Sequence, residues 1–183
     1  MSDRLTSEKR SWNMSRIRAK DTKPELTVRS ILHRMGFRFR LNRKDLPGTP
    51  DIVFPRYRTA IFVHGCYWHR HPGCANATTP KKNADFWKKK FNENVSRDLR
   101  NQKILKEMGW IVSVIWECQI RRDPVLAVTN TLIDIGLIEE DSPYPQLSNE
   151  KIRSCVKERF TAGWKKSRSI DELAEETQVI QRK

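Results

Sequence analysis

Hydrophobic residues recur with the period of an α-helix in the segment that begins at Thr22. Thr22 can cap this helix, Pro24 suits its first turn, and Glu25 stands three residues after the cap. Gly36 ends the helix. The predicted buried stripe consists of Leu26, Val28, Ile31, Leu32 and Met35. Residues 37–41 then alternate between apolar and polar side chains, which predicts a half-exposed strand.

Two short apolar runs follow, separated by a turn that contains proline. Residues 51–54 and 59–63 have the composition of strands, and the turn at 55–58 predicts that they form a β-hairpin. Residues 65–80 are irregular and rich in Cys, His, Gly and Pro. The hairpin therefore leads directly into a loop of unusual composition.

The remaining pattern predicts a helix, a strand and a second helix. Residues 85–108 form a long predicted helix that Gly109 ends, with lysines on one side. Its apolar side consists of Phe91, Val95, Leu99 and Leu105. Residues 110–116 predict a buried strand, and residues 124–136 predict a short helix. This order of elements favours an α/β fold, with a mixed central sheet flanked by helices.

Positive charge is concentrated in the first part of the chain. The 183 residues carry a formal net charge of +14. The net charge is +9 over residues 1–44, +1 over 45–80, +6 over 81–106 and −2 over 107–183. This asymmetry favours a surface that binds a polyanion through particular segments.

Several classes of protein are excluded by what the chain lacks. No window approaches the roughly 18 consecutive apolar residues of a membrane helix, and residues 1–10 contain no apolar stretch of a secretory signal. We expect a cytoplasmic protein without membrane contact, in which thiols stay reduced. The four cysteines are then metal ligands or free thiols, and Cys155 receives no role.

The densest chemistry lies in residues 64–74, which contain three histidines and two cysteines. Cys118 follows the last predicted strand and could approach the same loop. A tetrahedral zinc site would use three thiolates and one histidine. The candidate thiolates are Cys66, Cys74 and Cys118. Spacing does not decide whether His69 or His71 is the fourth ligand. The alternative to a zinc site is that the three cysteines are free thiols.

A carboxylate and two histidines are candidates for phosphodiester hydrolysis. Asp51 opens the hairpin, which returns through Val63 and His64. Asp51 and an exposed backbone carbonyl at the neighbouring strand end would suit Mg²⁺, which takes few protein oxygens. His64 and His69 could activate water or protonate a leaving oxygen. A metal beside imidazole and a basic surface suits cleavage of nucleic acid.

Each candidate also has a structural interpretation when it is considered alone. Asp51 could cap the turn that precedes it, and Glu25 is explained as the capping-box partner of Thr22. A lone His64 at a strand end is more often a hydrogen-bonded structural residue. Asp98 is most simply a solvated helix charge. These residues form a catalytic site only if the fold brings them together.

Several dispersed motifs, in order, resemble the very-short-patch repair (Vsr-type) DNA mismatch endonucleases. They are NMSRI (13–17), DTKPE (21–25), LPGTPDIVF (46–54), FVHGCYWH (62–69), NVSRD (94–98), GW (109–110) and WEC (116–118). The resemblance covers about residues 8–138. It implies a restriction-endonuclease-like fold and an enzyme that nicks one strand beside a T:G mismatch, a product of 5-methylcytosine deamination. Such a nick initiates very-short-patch repair.

The resemblance also implies roles for individual residues. Asp51 would be the central Mg²⁺ ligand, the backbone carbonyl of Val63 a second ligand, and His69 the general base. Glu25, His64 and Asp98 would be supporting active-site residues. Structural zinc would take Cys66, His71, Cys74 and Cys118, so the resemblance selects His71 over His69.

DNA contacts follow from the same resemblance. Tyr67, Trp68 and Trp87 would enter the base stack, where an aromatic side chain replaces the stacking that is lost. Ordinary core packing is the alternative for these three. Met14 and Ile17 could enter the DNA from the minor-groove side. Residues that could hold phosphates nearby include Arg16, Arg18 and Lys20.

The expected organisation has three parts. Residues 1–20 form a basic arm that is mobile without DNA, residues 21–140 the endonuclease core, and residues 141–183 a charged tail of open role. We expect a monomer that associates with the bacterial nucleoid when bound to mismatched duplex DNA and that precedes downstream mismatch-repair proteins. Two other functions remain open: a nickase for a specific unmismatched sequence, and a zinc-stabilised DNA-binding module without catalysis.

Overall fold

The computed structural model describes residues 20–139 without a break, together with Thr6, Glu8, Lys9, Trp12 and Ser15. Between residues 20 and 139 the α-helices are α1 (Lys23–Arg34), α2 (Ala84–Glu107), α3 (Glu117–Arg122) and α4 (Pro124–Asp134). The strands are β1 (Ile52–Phe54), β2 (Thr59–His64) and β3 (Ile111–Trp116). The predicted contact residues Met14, Arg16, Ile17 and Arg18 lie outside the described residues, as do Cys155 and the tail at 141–183.

The three described strands form one mixed sheet in the order β1-β2-β3. A short 3-10 helix (Pro55–Tyr57) joins β1 to β2, which pair antiparallel as the predicted hairpin. β2 and β3 pair in parallel, with His64 opposite Trp116 at their ends. Because both strands run in the same direction, the loop after β2 and the start of α3 leave the sheet side by side.

Side chains from alternate positions of the sheet enter two separate hydrophobic cores. The larger core lies under α1 and α4 and includes Val28, Leu32, Ile52, Phe54, Ile61, Ile115, Val128 and Leu132. The smaller core lies on the other face, where Leu105 of α2 covers the sheet. Its other buried members are Leu46, Val53, Ala60 and Phe62. Helices thus flank both faces of the mixed sheet, which confirms the predicted α/β class.

Two leucines that the hydrophobic pattern assigns to buried faces are exposed. Leu26 is 48% exposed because it lies two residues, or about 200° around α1, from the buried Val28. Leu99 is 61% exposed because α2 turns Asp98 toward the protein, and the next residue lies about 100° away. The prediction of a buried position is wrong for both.

Two predicted strands differ from the observed structure. Within residues 37–41, only Arg40 pairs with the sheet, through two backbone hydrogen bonds with Val53 at 2.8 and 2.9 Å. β3 is less buried than predicted, since Ile115 is its one buried residue. β3 is an edge strand of the described sheet, so its outer side lacks a covering neighbour there. No helix in the described part of the chain is long and apolar enough to cross a membrane.

Candidate active site and metal centre

The carboxylate of Asp51 lies immediately before β1, beside the end of β2. Its Oδ2 atom accepts a hydrogen bond from the backbone N–H of Val63 at 2.8 Å. Burial raises the pKa of Asp51 to about 6, although the Val63 N–H favours the charged form. The charge of Glu25 raises this pKa further, whereas Arg29 and His69 lower it. An ionised carboxylate in this position would therefore be stabilised by an added cation.

Glu25 of α1 is a buried acid with three hydrogen-bond donors around it. The backbone N–H of Asp21 donates to Oε2 at 3.0 Å, and the Thr22 hydroxyl donates to Oε1 at 2.8 Å. Arg29 donates to Oε2 at 2.8 Å and also pairs with Asp21. Thr22 is the N-cap residue as predicted, but its side chain bonds Glu25 and accepts no backbone N–H. Glu25 accepts the backbone N–H of Asp21 rather than that of Thr22, so neither hydrogen bond of a capping box forms and that interpretation is wrong.

The imidazole rings of His64 and His69 stack face to face. Their ring centroids lie 3.8 Å apart with 12° between the planes. Burial lowers the pKa of His64 to about 3, and His69 lowers it further, while Asp98 acts in the opposite sense. His64 is therefore neutral at physiological pH. Trp116 contacts its ring edge-on, with centroids 5.4 Å apart.

The side chain of Asp98 on α2 orients His69. Oδ2 of Asp98 lies 2.6 Å from Nδ1 of His69. Burial alone would raise the pKa of Asp98, but the hydrogen bond and the charge of His69 lower it below the usual value. The carboxylate is thus ionised and acts as acceptor, so Nδ1 carries the proton. This leaves Nε2 of His69 for proton transfer.

One face of α2 contacts residues 67–70 of the loop that follows β2. Trp87, Phe91, Asn94 and Asp98 recur at intervals of three or four residues, which places them on one face of the helix. Asn94 is buried and its Nδ2 donates to the carbonyl of Trp68 at 3.2 Å. The sequence reasoning assigned no role to Asn94, although its spacing from Phe91 and Asp98 was the signal that could have found it.

Three cysteines and one histidine form a compact group at the carboxyl ends of β2 and β3. One ligand atom from each of Cys66, His71, Cys74 and Cys118 lies within 4.8 Å of the others, so the group could hold a metal ion. Sγ of Cys118 lies 3.2 Å from Nδ1 of His71, and Sγ of Cys66 lies 3.8 Å from it. Cys118 reaches the loop because α3 starts directly after β3. The hydrophobic pattern did not predict α3.

Two thiols of the group have pKa values that are shifted in opposite directions. Burial raises the pKa of the Cys66 thiol to about 12, so without a metal this thiol is neutral. A hydrogen bond from the backbone of Asn76 lowers the pKa of Cys74. The ring of Trp116 stacks on His71 with centroids 4.2 Å apart, which orients the imidazole. His69 lies instead against Asp98, and the structure thus separates the two histidines that spacing left open.

Arg70, between these two histidines, joins the loop to α2. Its guanidinium donates to the carbonyl of Thr78 at 2.9 Å and to the hydroxyl of Thr79 at 3.1 Å. It also lies 4.4 Å from the ring centroid of Phe91. Arg70 is a second residue that the sequence reasoning did not assign. It connects residues 78 and 79 of the loop to the helix that orients His69.

The aromatic residues predicted to contact DNA form one cluster. Tyr67 lies edge-on to Trp68 at 5.1 Å and to Phe91 at 5.1 Å, and Trp68 lies 6.1 Å from Trp87. Phe91 is buried, whereas the other three are only partly buried. Core packing alone therefore does not describe them. Lys20 is exposed at the start of the continuous part of the structure.

A half-buried carboxylate near a histidine that an aspartate orients, in a chain of net charge +14, fits the class of phosphodiester-cleaving nucleases. The family model of the DNA mismatch endonuclease Vsr matches residues 2–76. The chain belongs to this Vsr family and is a DNA endonuclease.

Individual relatives agree with this assignment. The chain is 52% identical over 120 residues to the Type II nicking enzyme V.XorIIP of Xanthomonas oryzae pv. oryzae, covering 66% of this chain and 88% of that protein. It is 43% identical over 125 residues to the Type II nicking enzyme V.NmeAIP of Neisseria meningitidis serogroup A, and the match covers 68% of this chain and 89% of that protein. It is 41% identical over 121 residues to the DNA mismatch endonuclease Vsr of Escherichia coli K12, and the match covers 66% of this chain and 77% of that protein. The chain is thus a nicking endonuclease of this family.

Proposed function

We propose that this protein nicks one DNA strand beside T:G mismatches that arise from 5-methylcytosine deamination, and so initiates very-short-patch repair. The observation that carries the proposal is a chain of contacts. Asp51 accepts a hydrogen bond from the N–H of Val63, the adjacent His64 stacks on His69, and Asp98 lies against Nδ1 of His69. A relative that is 41% identical is named a DNA mismatch endonuclease. We further propose a restriction-endonuclease-like fold, a monomer and a cytoplasmic location, with nucleoid association and downstream mismatch-repair partners.

The donor set around Asp51 fits Mg²⁺, because it consists of hard oxygen atoms in a partly buried site. Asp51 and the carbonyl of Val63 would hold the ion. Bound there, Mg²⁺ would supply charge stabilisation at the scissile phosphate. Nε2 of His69 would accept the proton of the attacking water, with Asp98 stabilising the resulting imidazolium. Glu25 and the neutral His64 would fix the geometry around these two groups.

The second donor set fits zinc, since three thiolates and an imidazole are the ligands of a closed structural site. Cys66, His71, Cys74 and Cys118 would hold this ion. Zinc would tie the loop after β2 to α3 and so stiffen the segment that carries Tyr67, Trp68 and His69. Recognition of the mismatch and the chemistry would then depend on one loop.

The partly exposed aromatic residues would form the wedge that enters the base stack. Tyr67, Trp68 and Trp87 are the members proposed here, since Phe91 is buried beneath them. Opening a base step costs a few kcal/mol, and less at a mismatch. Met14 and Ile17 are proposed to enter from the other groove. Arg16, Arg18 and Lys20 would hold phosphates.

The test is cleavage of a T:G-mismatched duplex and of its matched C:G counterpart, each labelled on either strand, with Mg²⁺ and with EDTA. We expect Mg²⁺-dependent cutting of the T strand in the mismatched duplex alone. Equal cutting of the matched duplex would favour a nickase for a specific unmismatched sequence. Two relatives are named Type II nicking enzymes. Metal-independent binding without cutting would identify a non-catalytic DNA-binding module.

A further inference from the structure

Phe86 is an aromatic side chain that the proposed wedge does not include. It lies in the first turn of α2 and is 61% exposed. Its ring contacts Trp87 edge-on, with centroids 5.4 Å apart. The aromatic cluster thus continues beyond Trp87 into solvent. Leaving a Phe ring in water forgoes the free energy of its burial, unless another molecule covers it.

The side of α2 that carries Phe86 is basic. Lys90 and Arg97 follow Phe86 at four and eleven residues, which places all three on one flank, about 16 Å long. Glu93 is the acid on this flank, and Lys89 and Arg100 border it. The guanidinium of Arg97 lies 3.6 Å from the carboxylate of Asp98, so the flank runs from the aromatic cluster to the His69–Asp98 pair.

We propose that Phe86 is a further DNA-contacting residue, which packs its ring on a base or deoxyribose next to the step that the wedge opens. Cations beside an exposed aromatic ring form the combination that binds nucleic acid by phosphate contact and stacking. The proposal rests on the proposed function, in that Trp87 reaches the DNA. It adds a sequence-tolerant apolar contact to a surface that otherwise binds through charge.

The matched control is Leu99, which is equally exposed at 61% on the same helix. Leu99 lies thirteen residues further along α2 and on a different flank, away from the aromatic cluster. The variants are Phe86→Ala, Phe86→Leu and Leu99→Ala. Phe86→Leu keeps an apolar side chain without a π-face. Exposed positions tolerate such changes, so thermal melting should report folded protein for all three.

The experiment measures Kd by fluorescence anisotropy for T:G and C:G duplexes, with Ca²⁺ in place of Mg²⁺, over a series of salt concentrations. Phe86→Ala should weaken binding of the T:G duplex by about tenfold, Phe86→Leu by less, and Leu99→Ala should bind like the wild type. The slope of log Kd against log salt should stay unchanged, because no phosphate contact is lost.

Wild-type affinity of Phe86→Ala, or an equal loss in Leu99→Ala, would overturn the proposal. A changed salt slope would also overturn it, since the ring would then act through the neighbouring cations. If wild-type protein binds both duplexes equally, affinity does not discriminate the mismatch, and the cleavage assay decides the mismatch function. In that case the proposed Phe86 contact is still tested, because Phe86→Ala should lose affinity for both duplexes.

Discussion

Nδ1 of His69 lies 2.6 Å from Oδ2 of Asp98, although 29 residues separate the two along the chain. The loop after β2 supplies the histidine, and the inward face of α2 supplies the aspartate. Because an ionised carboxylate only accepts hydrogen bonds, this contact selects the tautomer of His69. The helix therefore determines which imidazole nitrogen is available for the chemistry.

The first prediction concerns this contact. Asp98→Asn should lower the single-turnover cleavage rate by about 100-fold, because the amide no longer stabilises a protonated His69. DNA affinity should change little. Single-turnover assays and anisotropy on the same mismatched duplex measure the two quantities. Asp134→Asn, the same exchange at an exposed position on α4, is the control. A rate for Asp98→Asn equal to that of the control would remove Asp98 from the mechanism.

Asp98 should also contribute to stability in a pH-dependent way. His69 and His64 from the sheet side, and Arg97 on α2, lower the pKa of Asp98 against the opposing effect of burial. A lowered pKa in the folded state stabilises the protein above the usual value of 3.8, and this stabilisation is lost as the pH falls below it.

Denaturant unfolding across this pH range gives the check. Asp98→Asn should be less stable than the wild type by about 1 kcal/mol near neutral pH, and the difference should close in acid. A constant difference at every pH would contradict the assigned cause.

Asp51 is expected to reduce the stability of the metal-free protein. Burial raises its pKa to about 6, so its charged form is disfavoured in the fold. Asp51→Asn keeps an oxygen that can accept the Val63 N–H and removes the charge. In EDTA at neutral pH, the variant should be more stable than the wild type by about 1–3 kcal/mol. If Asp51→Asn were less stable than the wild type, the charged carboxylate of Asp51 would be stabilised by its surroundings, which would contradict the prediction.

Removal of a thiolate should empty the Cys/His group. Cys118→Ser should lose bound metal and melt at a lower temperature, because the link between α3 and the loop after β2 is broken. Metal analysis and thermal melting report both effects. Cys155→Ser removes the fourth cysteine of the chain, which lies outside the described residues, and is the control. Full metal content in Cys118→Ser would exclude Cys118 as a ligand.

Local sequence patterns predicted much of the frame of this site. The hairpin, the long helix and the strand that follows this helix were predicted from apolar periodicity and turn residues, and all three are present. The pairing of His69 with Asp98, and of His71 with Cys118, could not be read from spacing. The second pair depends on the parallel register of β2 and β3, and the first depends on the packing of α2 against the loop after β2.

Other residues were missed because their roles depend on tertiary contacts. Asn94 and Arg70 contribute through a backbone carbonyl and a ring that lie elsewhere in the chain. Arg29 is a buried cation that compensates Glu25, a position that a hydrophobic pattern assigns to apolar residues. Periodicity finds apolar faces, and it is silent about polar groups that are buried because they are paired.

The most direct test of the account is cleavage of a strand-labelled T:G duplex by Asp51→Asn at saturating Mg²⁺, with its Kd measured on the same duplex. The account predicts that nicking of the T strand is lost while the affinity for DNA stays close to that of the wild type. Nicking at the wild-type rate would contradict it, because the carboxylate beside Val63 would then have no part in the reaction.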